Sequence, residues 1–425
     1  MTLPPFRKGP PAMKHLLPLA LAATLAAQGA GAVQIEVAYA YSSVFDPTFE
    51  RIMQAFATAH PDIEVTFRAT YEDYEDATNT ILREAVANTL PDVSFQALNR
   101  QAILVERGIA KPLDPYIAAE TGFDAAGYHQ AMLDLSTFGG KVYGLPFSVS
   151  TPIGFYNMDI LRAAGIKTVP QSWDQVIEAC RAIRATGRQD ALFWHWNISG
   201  NWLLQAAMWS QGVPMIKDGR LNMDNPEGLK ALETAQAIFR DCGMKNLSGA
   251  DASKQFASGE LGMFFSSTAY VGFVDRSKTG SWDFVTGPYP GIGGAPQALP
   301  AGGNAAMLTS ASDDPEVRKA AWEFIKFTTS GEGAAAVALT TGYIPPNKAA
   351  NALLMDSFYA QNPNKLTAVN QLPLLSEWFA YPGDNGLAVT QLIDDSLEAI
   401  LTGDATDMEA LRDDMVEEVN GLLPH

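Results

Sequence analysis

LPFSVSTPIGFYNMDILRAAGIKTVPQSW, running from Leu145 to Trp173, is the stretch on which the reading of this chain turns. Pro146 to Pro152 reads as a strand. Because side chains alternate faces along a strand, Ser148 and Ser150 point one way and Val149 the other. The pair Tyr156-Asn157 then leads into a helix, and Pro170 to Trp173 opens the next. Ser172 with Gln175 three residues on forms a capping box for that second helix, which ends near Gly187.

Upstream, the same alternation of elements begins soon after residue 33. Ile35 to Tyr39 reads as a strand, and Asp46 with Pro47 marks a helix start that runs until Pro61. Ile63 to Phe67 is the next strand, Asp73 to Asn88 the next helix, and Asp92 to Gln96 a third strand. This βαβ succession predicts a mostly parallel sheet with both faces covered. Downstream, Asn225-Pro226 and Asp314-Pro315 open two further helices, the first stopping at Gly243. The segment 286–303 is rich in Gly and Pro and nearly free of charge, as a return strand with a loop would be.

The N-terminus reads as an export signal. Lys14 and His15 precede an apolar run from Leu16 to Ala27 and the small residues Ala30-Gly31-Ala32. That run is short for a membrane span. Residues 1–12 form an extension, with Met13 as the expected start and cleavage expected after Ala32. No cysteine stands at the cleavage site to take a lipid, so a soluble periplasmic protein is expected. Cys180 and Cys242 are the two cysteines, and an oxidising compartment permits a disulfide between them without requiring one.

With 29 basic and 47 acidic residues the formal charge is −18. Removing Arg7, Lys8 and Lys14 with the signal leaves 26 basic residues against 47, a charge of −21. Such a surface repels nucleic acid and anionic lipid and offers an anionic solute no long-range attraction. The length exceeds that of a usual single domain and predicts two lobes. Catalytic and metal signatures are missing: no nucleophile elbow, no His-Glu-x-x-His, no phosphate-cradling Gly-rich loop, and no metal-ligand spacing around the five histidines or two cysteines. No catalytic residue, metal or cofactor is therefore assigned.

A second motif, Thr341-Gly342-Tyr343-Ile344-Pro345-Pro346-Asn347, follows the helix begun at Asp314. Together with the 145–173 stretch, in the same order, it resembles the extracellular solute-binding proteins (family 1) of bacterial ABC importers, particularly their glycerol-3-phosphate and sugar-binding branch. The resemblance implies an α/β, two-lobe periplasmic-binding-protein fold (type II), with discontinuous lobes joined by crossing strands and a ligand cleft between. It places one lobe at 33–148 plus 302–350 and the other at 149–301 plus 351–425. It also implies a monomer that binds a small solute by hinge closure, without bond chemistry, and hands it to ABC permease subunits in the inner membrane.

The ligand-binding candidates rest on both lines. Trp194, Trp196, Trp202 and Trp209 place four of eight tryptophans within 16 residues, beside Asn197, Ser199 and Asn201. Flat rings among amides and hydroxyls suit a sugar or polyol, and the resemblance, rather than the spacing, implies that Trp196 and Trp202 line the cleft, against the alternative that they are core. The resemblance adds Tyr74, Ser148, Ser150, Ser267, Gly303 and Tyr343. It also exposes departures: where the glycerol-3-phosphate proteins carry an arginine, this chain has Thr390, and an acid that grips glycerol there gives way to Leu98 or Asn99. Asp384 and Asn385 stand as acceptors for sugar hydroxyls, or as a plain turn. The missing arginine favours a neutral carbohydrate or polyol over glycerol-3-phosphate or its diesters. A periplasmic carbohydrate-active enzyme is the competing class.

Overall fold

The computed structural model describes residues 31–128, 130–355 and 358–424. The expected signal, 1–32, lies outside the described residues except for Gly31 and Ala32. Nine strands build two sheets. They are β1 (Val33–Ala38), β2 (Ile63–Phe67), β3 (Val93–Ala97), β4 (Gly144–Ser150), β5 (Pro152–Asn157), β6 (Leu192–Trp194), β7 (Met263–Ser267), β8 (Phe284–Pro288) and β9 (Gly302–Leu308). The first sheet runs in the order β2-β1-β3-β9-β4 and the second in the order β8-β5-β7-β6. Only Thr151 separates β4 from β5, so the chain passes from one sheet to the other in a single residue.

The expected mostly parallel arrangement holds, with one strand in each sheet running against the rest. β1 is parallel to β2 and β3, but β9 runs antiparallel to both β3 and β4. In the second sheet β5 is antiparallel to β7 and β8, and β7 is parallel to β6. Antiparallel pairing arises where the chain returns from the neighbouring sheet rather than through a covering helix.

The first helix is corrected. It spans Ser42–Ala59 instead of beginning at Asp46, whose carboxylate accepts a hydrogen bond from the Tyr39 hydroxyl at 2.6 Å rather than capping. Pro47 therefore lies inside the helix, where it has no N–H for the Ser43 carbonyl four residues back. Arg276, from the helix Tyr270–Ser277, donates to that carbonyl at 3.3 Å. Other signals act as read. Asp73 caps Tyr74–Ala87 through the Asp76 N–H, Ser172 caps Trp173–Ala185 through Gln175, and Asn225 caps Pro226–Asp241 through Gly228.

Each sheet carries its own core. Around the first, Phe49 stacks on Phe147 at 5.4 Å and meets Phe95 edge-on at 4.9 Å. Around the second, Phe155 and Phe264 pack at 5.4 Å, with Trp194 buried beside Phe239. Among the described residues no helix is long and apolar enough to cross a membrane. Cys180 and Cys242 form a disulfide that ties Trp173–Ala185 to the end of Pro226–Asp241, both packed on the second sheet.

That bond closes a loop with a sequence separation of 62 residues, for which chain-entropy reasoning gives about 4 kcal/mol as an upper expectation. Replacing both cysteines by alanine is expected to lower the unfolding free energy by about 2–4 kcal/mol in urea titrations while leaving ligand affinity unchanged. An unaltered midpoint would mean that packing of the two helices suffices.

Candidate functional site

The site forms where three strand ends meet. Ser150 ends β4 opposite Gly302 at the start of β9, and Ser267 ends β7 opposite Pro152. Small residues are required here by contact. A Cβ on Gly302 would lie 2.5 Å from Ser150 Oγ and 2.7 Å from the Trp202 ring, and one on Gly303, at φ +115°, would lie 2.0 Å from the Ser148 carbonyl. Glycine alone lets the two backbones and the indole share that space.

Rings from distant parts of the chain surround this junction. Tyr41 sits in the left-handed region just before the first helix, and Tyr74 is the first residue of the second. Their rings meet edge to face at 5.0 Å. Trp378 lies 6.2 Å from both Tyr74 and Trp202. Tyr270 and Tyr343 complete the lining, and no charged side chain belongs to it. Polar groups fix the rings: Trp202 Nε1 donates to the Ala301 carbonyl at 3.0 Å, and Asn304 Nδ2 donates to Tyr74 Oη at 3.0 Å. Across the junction, the Tyr41 and Ser199 hydroxyls lie 2.8 Å apart. Burial above all pushes the phenols of Tyr41, Tyr74 and Tyr343 well up, so they remain neutral hydrogen-bonding groups. The enclosed cavity measures about 40 Å³, room for only a few waters.

A second chamber of about 950 Å³ adjoins it, and Trp378 lines both. Arg100 stands at its edge, buried, donating to Glu75 at 2.9 Å and to Thr390 Oγ1 at 3.1 Å. The cation absent from the sequence around Thr390 is thus present in space, 290 residues away along the chain. Next to it, Asn201 donates to Asp394 at 2.8 Å and accepts from the Tyr381 hydroxyl at 2.9 Å.

Of the candidates read from sequence, Tyr74, Ser150, Trp202, Ser267, Gly303 and Tyr343 line the aromatic cavity. Ser148 is buried in β4, paired with Asn304. Trp196 is buried in the core of the second sheet. Asp384 lies at the exposed rim of the larger chamber, bonded to Arg107 at 2.6 Å, and Asn385 donates to the Leu422 carbonyl. Tyr41, Ser199, Tyr270 and Trp378 line the cavity without having been chosen. A His–Ser pair does occur, His195 Nδ1 lying 2.9 Å from Ser266 Oγ. Burial pulls the imidazole down to about 3, which leaves it a weak base.

The family described as bacterial extracellular solute-binding protein matches residues 51–368. The chain belongs to that family. This solute-binding protein is 25% identical over 401 residues to the sn-glycerol-3-phosphate-binding periplasmic protein UgpB of Escherichia coli (strain K12), covering 88% of this chain and 89% of the relative. Among solved structures it is similar to UgpB from Mycobacterium tuberculosis in complex with glycerophosphocholine, with a TM-score of 0.79 at 22% identity, covering 93% of this chain and 98% of that one. It is also similar to maltose-bound T. maritima MalE3, with a TM-score of 0.79 at 22% identity over 92% and 100% of the two chains. At such identities the structures establish the fold, the two-lobe α/β arrangement of these solute-binding proteins.

Asp394 gives the site a pH signature. Burial, partly opposed by its bond from Asn201, pushes its carboxyl up to about 8, with Glu75 and Asp395 adding to the rise and Arg100 opposing it. The folded protein thus holds a proton that the unfolded chain releases above the ordinary carboxylate range. Its contribution is fully present below about pH 4 and is lost as pH rises through about 8. Relative to Asp394→Asn, the wild type is expected to lose stability steadily between pH 5 and 9 in denaturant titrations. Parallel curves for the two proteins would contradict the assignment.

Proposed function

We propose that this solute-binding protein captures a polyhydroxylated solute, a sugar, polyol or glycerol-phosphate-type compound, in the periplasm and passes it unchanged to an ABC importer. The observation that carries this reading is an aromatic cavity without charged lining, set where strands cross between two sheets. Rings stack on C–H faces, while Ser150, Ser199, Ser267 and the tyrosine hydroxyls supply directional bonds. With no charge in the lining, the group held there is neutral. The two units, 33–148 plus 302–350 and 149–301 plus 351–425, close on it about the passages at Thr151 and Ala301, and the closed monomer is what the permease reads. The names of the relatives, which include binders of glycerol-3-phosphate, glycerophosphocholine and maltose, support the class. Arg100 favours glycerol-3-phosphate or its diester as a second reading, although Glu75 already holds that guanidinium.

Calorimetry against a panel of sugars, polyols and glycerol phosphates tests the cavity. Trp202→Ala and Trp378→Ala are each expected to weaken the tightest ligand by about 1–3 kcal/mol, with little dependence on salt and a smaller radius of gyration for the bound wild type. Tight glycerol-3-phosphate binding that weakens with salt and ignores both substitutions would overturn the neutral-ligand reading. Turnover of the ligand would overturn the binding role itself.

Export is checked separately. Fractionation of the producing cell is expected to place a soluble chain beginning near Val33 in the periplasm; an uncleaved cytoplasmic chain would refute the signal.

A further inference from the structure

The larger chamber shares Trp378 with the aromatic cavity and draws its walls from both sides of the cleft. Leu82, Ile103, Leu135 and Phe138 contribute from one side, Leu372 and Phe379 from the other. These side chains are only half-buried, so apolar surface remains open inside a concavity, which marks a binding surface. The charged groups in its lining other than Arg100 are Glu106, Asp134, Glu377 and Asp384, a set that disfavours an anion.

The neck between the two spaces is polar and unsatisfied. Asn99, Arg100 and Trp378 are 5%, 4% and 4% exposed. Neither atom of the Asn99 amide, nor Arg100 Nε, nor Trp378 Nε1 has a hydrogen-bond partner. Two of these donors converge on one point: a Cβ on Gly200, itself at φ +67°, would lie 2.7 Å from Asn99 Nδ2 and 3.3 Å from Trp378 Nε1. Buried polar groups without partners are costly; three of these four atoms donate and are relieved by an acceptor, while Asn99 Oδ1 accepts and is relieved by a hydroxyl.

We propose that the natural solute is a glycoside with an apolar aglycone, its sugar in the aromatic cavity, its glycosidic and ring oxygens at the Asn99–Arg100–Trp378 neck, and its aglycone in the large chamber. This rests on the reading of the aromatic cavity as a sugar or polyol site. The glycosidic and ring oxygens accept from the three donors, and a hydroxyl of the same sugar ring donates to Asn99 Oδ1. A second sugar ring in the same chamber could bond Thr137, Ser376 or a carboxylate but would cover Leu82, Ile103, Leu135 and Phe138 with a polar edge, where an apolar aglycone gains more. A phosphodiester would satisfy the donors but would bring its charge into a chamber lined by Glu106, Asp134 and Glu377, with Arg100 already held by Glu75.

The test is calorimetry of the mature protein with free hexoses, their methyl, hexyl and phenyl glycosides in both anomers, matching disaccharides, and glycerophosphodiesters. For the sugar that binds, the phenyl or hexyl glycoside is expected to bind at least tenfold tighter than the methyl glycoside. Phe138→Ala is expected to bring the ratio of those two affinities toward one. Asn99→Leu, close in volume and lacking donors, is expected to weaken the glycoside about tenfold, with an unchanged melting curve of the unliganded protein showing that it folds. A free sugar that binds as tightly as its glycosides would overturn the chamber assignment and leave the cavity reading standing. Disaccharides or glycerophosphodiesters gaining more than the apolar glycosides would overturn it equally. Failure of every sugar and glycoside to bind would instead remove the cavity reading, and the chamber assignment with it.

Discussion

The cleft depends on how closely two backbones pass. At Gly302 and Gly303 the returning strand comes so near Ser148 and Ser150 that no side chain fits, and the Trp202 indole closes over the same spot. Because the Trp202 ring packs on that contact, a methyl group at position 302 would move the aromatic wall rather than merely loosen a loop. Packing rigidity makes such a displacement costly, since interiors have little free volume to absorb it.

Polar groups at the cleft then decide which way the two halves lean. Some are paired across it, as Tyr41 with Ser199 and Arg100 with Thr390. Others lose water without gaining a partner, among them Asn99 and the Trp378 indole N–H. Closing without a solute therefore leaves a deficit that a solute with the right acceptors removes. Selectivity and closure come from the same atoms, as expected when a ligand shifts an equilibrium by its differential affinity.

Local chemistry made much of this legible in sequence. Asp73, Ser172 and Asn225 cap helices because each offers a short acceptor just before a run of helix formers. Tyr74, Trp202 and Tyr343 could be chosen because they sit in recognisable segments. What sequence hid was long-range. Arg100 and Thr390 touch although 290 residues separate them, and Trp378 faces Tyr74 and Trp202 from far along the chain. The two strands that run against the rest, β5 and β9, are those by which the chain enters a sheet from its neighbour, which no local pattern shows. The start at Asp46 failed because Tyr39 claims that carboxylate, a competition invisible without the neighbouring strand.

Pro47 leaves the Ser43 carbonyl without its helical donor, and Arg276 fills the gap from the opposite side of the cleft. An intact helix would have no such acceptor to offer. Here the vacancy is filled by guanidinium when the halves are together, and water can fill it when they part, so the bond is exchanged rather than lost. The irregularity thus offers the guanidinium, which also donates to the Thr340 carbonyl, an acceptor whose loss water would make good if the two sides separated.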